Sequence, residues 1–317
     1  MSDSNVVVDY PADPLDPAVT PFIAGEVPAA GPRRSFGANL RQAFSGYTLV
    51  GAVLVLLVLI VSIGAPVFAL HDPLSQDVVH RLAPPAFVHG GTWSHPLGTD
   101  GLGRDLWARI LYGLRTSLLI SVPAVLIAAT LGVVVGISAG YFGGYVNAVL
   151  MRLTDVQMAF PFIILAITIL SVFAPGPLIL IAVLSLSAWP IYARIVRSIA
   201  LVDGTSEYVL AARAMGASHT RIIVRYLVRN LIVSLLVLST LDIASMIILE
   251  ALLSFLGLGI QPPGMSLGTV MADGKEYLST GVWWITTMPG VAILIVLLGL
   301  NLMGDGLQSR LDSRLRR

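Results

Sequence analysis

Two acids, Asp242 and Glu250, stand inside an otherwise apolar run from about residue 231 to 258. At 100° per residue they sit about 80° apart around a helix, so both can face one interior surface. An acid in a bilayer is expensive and turns towards protein or water. The pair could bind an amino terminus of a cargo molecule, pair with a partner chain, or bond to neighbouring backbone. A second set is basic: Arg221, Arg225 and Arg229 recur every four residues, along one helix face. Such a face suits lipid headgroups or a docking partner. A third set has no charge: Gly132, Gly136, Gly140 and Gly144 also recur every four residues, a spacing that lets two helices approach closely. Helix packing is preferred there over substrate contact.

Other chemistry is excluded more readily. The chain has no cysteine, which removes disulfides, thiolate metal sites and cysteine nucleophiles. No nucleophile–base constellation stands out, so no catalytic residue is assigned. His71, His80, His89, His95 and His219 match no helical or hairpin ligand spacing, and no metal is expected. The nearest approach to a phosphate loop is Gly268 with Gly274 and Lys275, but the glycines are one residue too far apart and Glu276 replaces Ser or Thr. If nucleotide drives this protein, another chain must bind it.

The elements that position these residues are set by hydropathy. Of 317 residues, 56% are hydrophobic and only 12% charged. With a mean hydropathy of +0.86, the chain lacks the charge to cover a soluble globule of its size. Net charge is +1, which gives no reason to expect nucleic acid. Runs long enough to span a bilayer lie at Thr48–Leu70, Ser117 to about Tyr141, and about Val156–Ala174. Further runs lie at about Leu178–Ala200, Leu231–Leu258 and Val282–Leu302. Six spans put both termini on one side. Arg33, Arg34, Arg41, Arg152, Arg194, Arg197 and the arginines of 213–229 and 310–317 then share that side. Only Arg81, Arg104, Arg109, Arg115 and Lys275 lie opposite. The positive-inside rule therefore places both termini in the cytoplasm. Trp93, Trp283 and Trp284 fall outside, at an interface. Pro123, Pro161, Pro190 and Pro289 in or near spans are flexing points or static kinks. Asp155 lies near the cytoplasmic end of the third span, where it is read as interfacial.

The resulting organisation has four parts. Residues 1–35, rich in proline and scattered acids, read as a disordered cytoplasmic tail without the pattern of a secretory signal. Residues 36–70 hold the first span. Residues 71–116 form an external segment, where Asp100, Arg104 and Asp105 are placed for local charge-assisted bonds. Residues 117–317 form the core, with a cytoplasmic loop at 201–230. In that loop Thr205 or Ser206 can cap a helix carrying Glu207 in its first turn, and Gly216 suits the position after its end. Ser218 can cap a following basic helix, with Ile222, Ile223 and Tyr226 as its apolar surface.

This loop resembles the coupling loop of ATP-binding-cassette importer permeases, a Glu-Ala-Ala, three residues, Gly pattern whose places are taken by Leu210, Ala211, Ala212 and Gly216. Leucine replaces the acid, with Glu207 three residues earlier. Tyr226, Leu227, Val228 and Arg229 stand where the pattern ends in proline. Two longer stretches are more specific. HPLGTDGLGRDLWARILYGLRTSL (residues 95–118) is similar to the segment before the second span in oligopeptide and dipeptide permeases. SFLGLGIQPPGMSLGTVMADGKEYL (residues 254–278), with NLMGDGLQSRLDSRLR (residues 301–316), resembles that family's C-terminal third. The likeness covers about residues 45–317 and is to the C-type permease subunit.

The resemblance implies an all-α integral membrane protein with the type I importer permease fold, six transmembrane helices and a cytoplasmic coupling helix. It implies a second homologous permease subunit, two ATP-binding subunits or domains, an external substrate-binding protein and surrounding membrane lipid. The setting would be a bacterial or archaeal cell membrane. No cofactor would be bound by this chain, with ATP and Mg held by the partner ATPases. Glu207, Ala211, Ala212, Arg213 and Gly216 would couple to the ATPase; Asp242 and Glu250, from the chemistry of acids within a span and not from the resemblance, are expected to line the substrate pathway. The cargo would be an oligopeptide or dipeptide; the same architecture can carry nickel, glutathione, haem or a sugar. A membrane enzyme or a stand-alone channel is the reading from another class.

Overall fold

A computed structural model describes residues 46–173 and 175–315, with side chains to Ser309. The expected tail, residues 1–35, lies outside the described residues. No strand occurs among the described residues; one isolated bridge joins Thr99 and Asp105.

Helix α1 (Tyr47–Ile63) is apolar throughout, and one further turn, α2 (Ala65–Phe68), follows it. The expected first span is therefore interrupted at Gly64, because Pro66 in the next turn has no N–H to give and its ring crowds the preceding carbonyls. Helix α3 (Leu106–Phe142) is 37 residues long and starts well inside the segment expected to be external. Asp105 starts it there, its side chain accepting from the Ala108 N–H. This local capping signal precedes the apolar run by several residues.

The third expected span is two helices. Helix α4 (Gly144–Ala159) and α5 (Phe162–Val172) meet at an angle of 85°. The cause is Pro161: Phe160 before it is extended (φ −83°, ψ 128°), as a residue preceding proline prefers. Pro123 and Pro190, in contrast, lie within continuous α3 and α6 (Pro177–Gly204). The chain then forms α7 (Glu207–Ala214), α8 (His219–Ile222) and a π-turn at Ile223–Leu227. Helix α9 (Val228–Phe255) follows without a break, then α10 (Leu267–Asp273) and α11 (Trp284–Leu315). Among the described residues, four stretches are long and apolar enough to cross a membrane: α3, α6, α8 through α9, and α11 to Ser309. The bent α4–α5 pair makes a fifth if counted as one span, and α1 is a shorter apolar helix.

Helix α3 is the organising strut. It packs along most of its length on α6. Gly132, Gly136 and Gly140 allow this, since a Cβ at each would overlap Tyr192 and Ala193, Val196, or Ala200 respectively. Gly144 lies outside that seam: it begins α4 at φ +48° with nothing within 4 Å of a Cβ. Its spacing continued the pattern, but the helix had already ended at Gly143. A second close seam, between α1 and α11, uses Gly51, Gly299 and Gly306. Buried residues of α3, α6 and α9 form one core around Tyr192, and those of α3, α9, α10 and α11 form another around Leu267 and Ile285. Large apolar side chains such as Leu56, Leu57, Leu119, Leu126, Leu236 and Leu298 remain exposed. A bilayer or a partner subunit is the solvent such a surface needs.

Candidate functional site

Helix α7 stands out from the bundle as a short, separately seated element. Val209 and Ala212 are its buried side chains and fix it to the body of the protein. Tyr208, Leu210 and Met215 are exposed apolar residues on its free surface, beside the exposed Glu207, Ala211, Arg213 and Gly216. Of the five residues assigned to coupling from sequence, Ala212 thus faces inward and the other four outward. Ser206 occupies the N-cap position but does not cap: its hydroxyl donates to the Asp203 carbonyl at 2.5 Å. Glu207 in the first turn and Arg213 in the last complement the helix dipole.

The end of α7 depends on Gly216. Its N–H bonds to the Arg213 carbonyl (2.9 Å), and the Ala217 N–H reaches back to the Ala212 carbonyl (3.0 Å). These two bonds form a Schellman motif and require the left-handed φ of +80° seen at Gly216. Ser218 then starts α8, accepting from the Arg221 N–H.

Two contacts tie α7 to its neighbours, and further bonds join the elements around it. The Arg213 guanidinium lies 4.9 Å from the centre of the Tyr141 ring, near the end of α3. The Tyr141 hydroxyl in turn is 2.8 Å from Nδ1 of His219, the first residue of α8. Tyr208 of α7 meets Tyr226 of the π-turn, ring centres 6.0 Å apart. Asn230 donates to Asp203 at 2.7 Å, joining the start of α9 to the end of α6. Arg194 and Asp155 pair at 2.6 Å on the exposed surface between α6 and α4.

The π-turn changes the expected faces of this region. Ile222, Leu227 and Leu231 are the buried residues, spaced five and then four apart, whereas Ile223 and Tyr226 are only half buried. A wider turn carries one more residue, which keeps the apolar seam in register across residues 222–231. Arg221, Arg225 and Arg229 are all exposed.

The two acids of α9 have different surroundings. Glu250 is fully buried, and both its oxygens are taken: Ser117 of α3 donates to one and Ser254 to the other, each at 2.7 Å. Ser117 also accepts from the Leu267 N–H at 3.3 Å, so the cluster joins α3, α9 and the start of α10. Asp242, about two turns earlier on the same helix, lies beside Tyr192 of α6, and its Oδ2 is buried without a hydrogen-bond partner. Sequence gave both acids one assignment; only Asp242 retains an unused oxygen.

The other end of the bundle carries an ion-pair network. Asp100 is buried and accepts from the N–H groups of Leu102 (2.8 Å) and Arg104 (3.0 Å) and from Arg104 Nε (2.6 Å). It also accepts from Arg109, whose guanidinium continues to Asp273 at 2.8 Å. Arg104 reaches the same carboxylate at 3.0 Å. Two buried or partly buried arginines bridge two carboxylates, leaving Arg109 Nε without a partner, and charge-assisted bonds of this kind fix geometry. Arg109 and Asp273 were not visible as members, being far apart in sequence. Trp284, expected at a membrane interface, is instead buried against this network and donates to the Thr99 carbonyl at 3.2 Å. Outside it, a hydrogen bond from His80 holds the Asp77 carboxyl below the usual carboxylate range.

Comparison with known proteins places this arrangement. Residues 132–317 match the family model described as a binding-protein-dependent transport system inner membrane component. The chain is 34% identical over 294 residues to a Di/tripeptide transport system permease protein DppC of Pseudomonas aeruginosa (strain UCBPP-PA14), covering 91% of this chain and 97% of that protein. It is 42% identical over 267 residues to a putative peptide transport system permease protein of Brucella suis biovar 1 (strain 1330), covering 84% and 88% respectively. A solved structure of the MetNI methionine ABC transporter in inward-facing conformations superposes with a TM-score of 0.51 at 20% identity, covering 63% of this chain and 95% of that one. That likeness shows the fold, a type I importer permease. By family, residues and fold together, the chain belongs to the binding-protein-dependent transport system inner membrane components and is a multi-pass membrane permease subunit of an ATP-binding-cassette importer.

Proposed function

We propose that the chain forms half of the translocation pathway of an ATP-driven importer for dipeptides or oligopeptides. The cargo reading is supported by the names of its relatives at 34% and 42% identity. A second homologous permease would complete the pathway, an external binding protein would deliver peptide, and two ATP-binding subunits or domains would supply the driving force. ATP and Mg would be bound by those partners, and this chain would bind no cofactor of its own. The charge distribution supports cytoplasmic termini, with α7 on the cytoplasmic side and residues 71–105 outside.

The observation that carries the mechanism is α7: a helix seated by two buried residues, with an exposed apolar and charged face, tied to α3 through Arg213 and Tyr141. Glu207, Ala211, Arg213 and Gly216 would meet the ATPase, and Ala212 would hold the helix in its seat. Movement of α7 by the ATPase would pull on α3, α6 and α9 together, switching access to the translocation pathway as largely rigid bodies. Asp242, with its unused buried oxygen, is the better placed acid for the pathway; Glu250 would brace α3 against α9.

The test is purification of the tagged chain in mild detergent, followed by identification of stoichiometric partners and assay of ATP-dependent peptide uptake in proteoliposomes. A second permease, an ATPase and peptide uptake dependent on a binding protein are expected. A chain that purifies alone and conducts ions would overturn the reading.

A further inference from the structure

Residues 71–105 bring together histidines that the sequence keeps apart. The His71 and His95 rings are 4.8 Å apart, and the His80 ring is 5.9 Å from that of His95. His95 Nδ1 lies 2.9 Å from Asp105 Oδ1, and His71 Nδ1 lies 3.9 Å from the same oxygen. The candidate ligand atoms of His71, His95 and Asp105 are all within 4.8 Å of one another. A tetrahedral cation with ligands at about 2.0–2.2 Å holds them about 3.3–3.6 Å apart. The two separations from Asp105 bracket that spacing and the third is within 4.8 Å, so side-chain adjustments of about an ångström would close the site.

The three residues come from separate segments: His71 follows α2, His95 lies in the loop, and Asp105 caps α3. His95 and Asp105 are buried and held by the fold. The His71 side chain is 41% exposed and borders a cavity of about 620 Å³ that also reaches Tyr112, Thr116 and Met265. A cation and a water ligand could enter from there. A hydrogen bond alone accounts for His95 and Asp105, but not for the approach of His71 to the same oxygen. The alternative trio of Asp77, His80 and His95 is weaker, because Asp77 and His80 are about half exposed and already bonded to each other at 2.6 Å.

We propose that His71, His95 and Asp105 bind one first-row divalent transition cation, of the Zn²⁺ or Co²⁺ type, leaving a fourth position open to water. Two imidazoles and one carboxylate suit such borderline ions and not Mg²⁺ or Ca²⁺. The bound cation clamps the chain after α2 and the loop onto the first turn of α3.

The full chain, purified without a polyhistidine tag in detergent, is titrated with Co²⁺ and followed by visible absorption, then with Zn²⁺ by equilibrium dialysis. One equivalent is expected, with micromolar or tighter affinity, a tetrahedral Co²⁺ band and a rise in Tm with Zn²⁺. His71→Gln, at an exposed position, should weaken binding by at least about tenfold and abolish the rise in Tm, while His89→Gln should change neither. Absence of the Co²⁺ band, unchanged binding in His71→Gln, or binding lost in His80→Gln but not in His71→Gln would each overturn the assignment.

Discussion

The Arg213 guanidinium rests 4.9 Å from the centre of the Tyr141 ring, linking the last turn of α7 to the end of α3. The same tyrosine meets His219 through its hydroxyl at 2.8 Å. One side chain thus touches both the short helix and the start of the long α8–α9 segment. In the coupling account this is where displacement of α7 reaches α3.

Tyr141→Ala should therefore uncouple the complex in part. An exposed cation–π contact contributes about 0.5–1 kcal/mol, so binding-protein-stimulated ATPase should fall a few-fold with assembly intact. Tyr141→Phe keeps the ring and loses only the hydroxyl bond, and should lie between wild type and Tyr141→Ala. Equal activity in all three would remove Tyr141 from the coupling path.

At Gly216 the prediction is an order of tolerance. A Cβ there meets nothing within 4 Å, so crowding is not the problem; the φ of +80° is. Left-handed backbone costs an ordinary residue about 1–2 kcal/mol, with asparagine among the milder cases. Gly216→Asn should retain more coupled ATPase activity than Gly216→Val. Indistinguishable variants would show that the Schellman end of α7 does not matter for function.

Glu250 offers a test between bracing and transport. Glu250→Ala leaves two buried serine hydroxyls without their acceptor, at a cost of about 1–3 kcal/mol per unsatisfied group. A lower Tm of the detergent-purified complex is expected, with peptide KM little changed among the molecules that assemble. Unchanged Tm with a raised KM would instead place Glu250 on the pathway.

The α3–α6 seam should be intolerant of size. Gly132→Val drives a side chain into Tyr192 and Ala193, and overpacking of this kind costs about 1–3 kcal/mol or more. Gly204→Ala, where a Cβ meets nothing within 4 Å, should be close to neutral. Yield of monodisperse protein on size-exclusion chromatography reads both.

Much of this was legible because it is local. The end of α7 at Gly216, the start of α8 at Ser218 and the packing glycines of α3 all depend on residue types at fixed offsets. The bend at Pro161 was marked as a proline but not as an 85° turn, because proline within a span is tolerated at Pro123 and Pro190 and only neighbours decide. The π-turn at 223–227 escaped because a 3.6-residue period was assumed through it. Gly51 with Gly299 and Gly306, Arg109 with Asp273, and His71 with Asp105 escaped because each joins segments distant in sequence. Ala212, assigned to an interface, turned inward because a helix of eight residues needs a buried side to stay seated.

The most direct measurement is photo-cross-linking from single positions of α7 in the assembled transporter. A photoreactive residue at Leu210, Ala211 or Met215, all exposed, should capture the ATPase, while one at Leu119, exposed on α3 within a span, should not. Capture of the ATPase from all three positions, changing in yield with ATP and vanadate, is the result the account predicts. Failure at all three in an active complex, with capture from another surface instead, would contradict it.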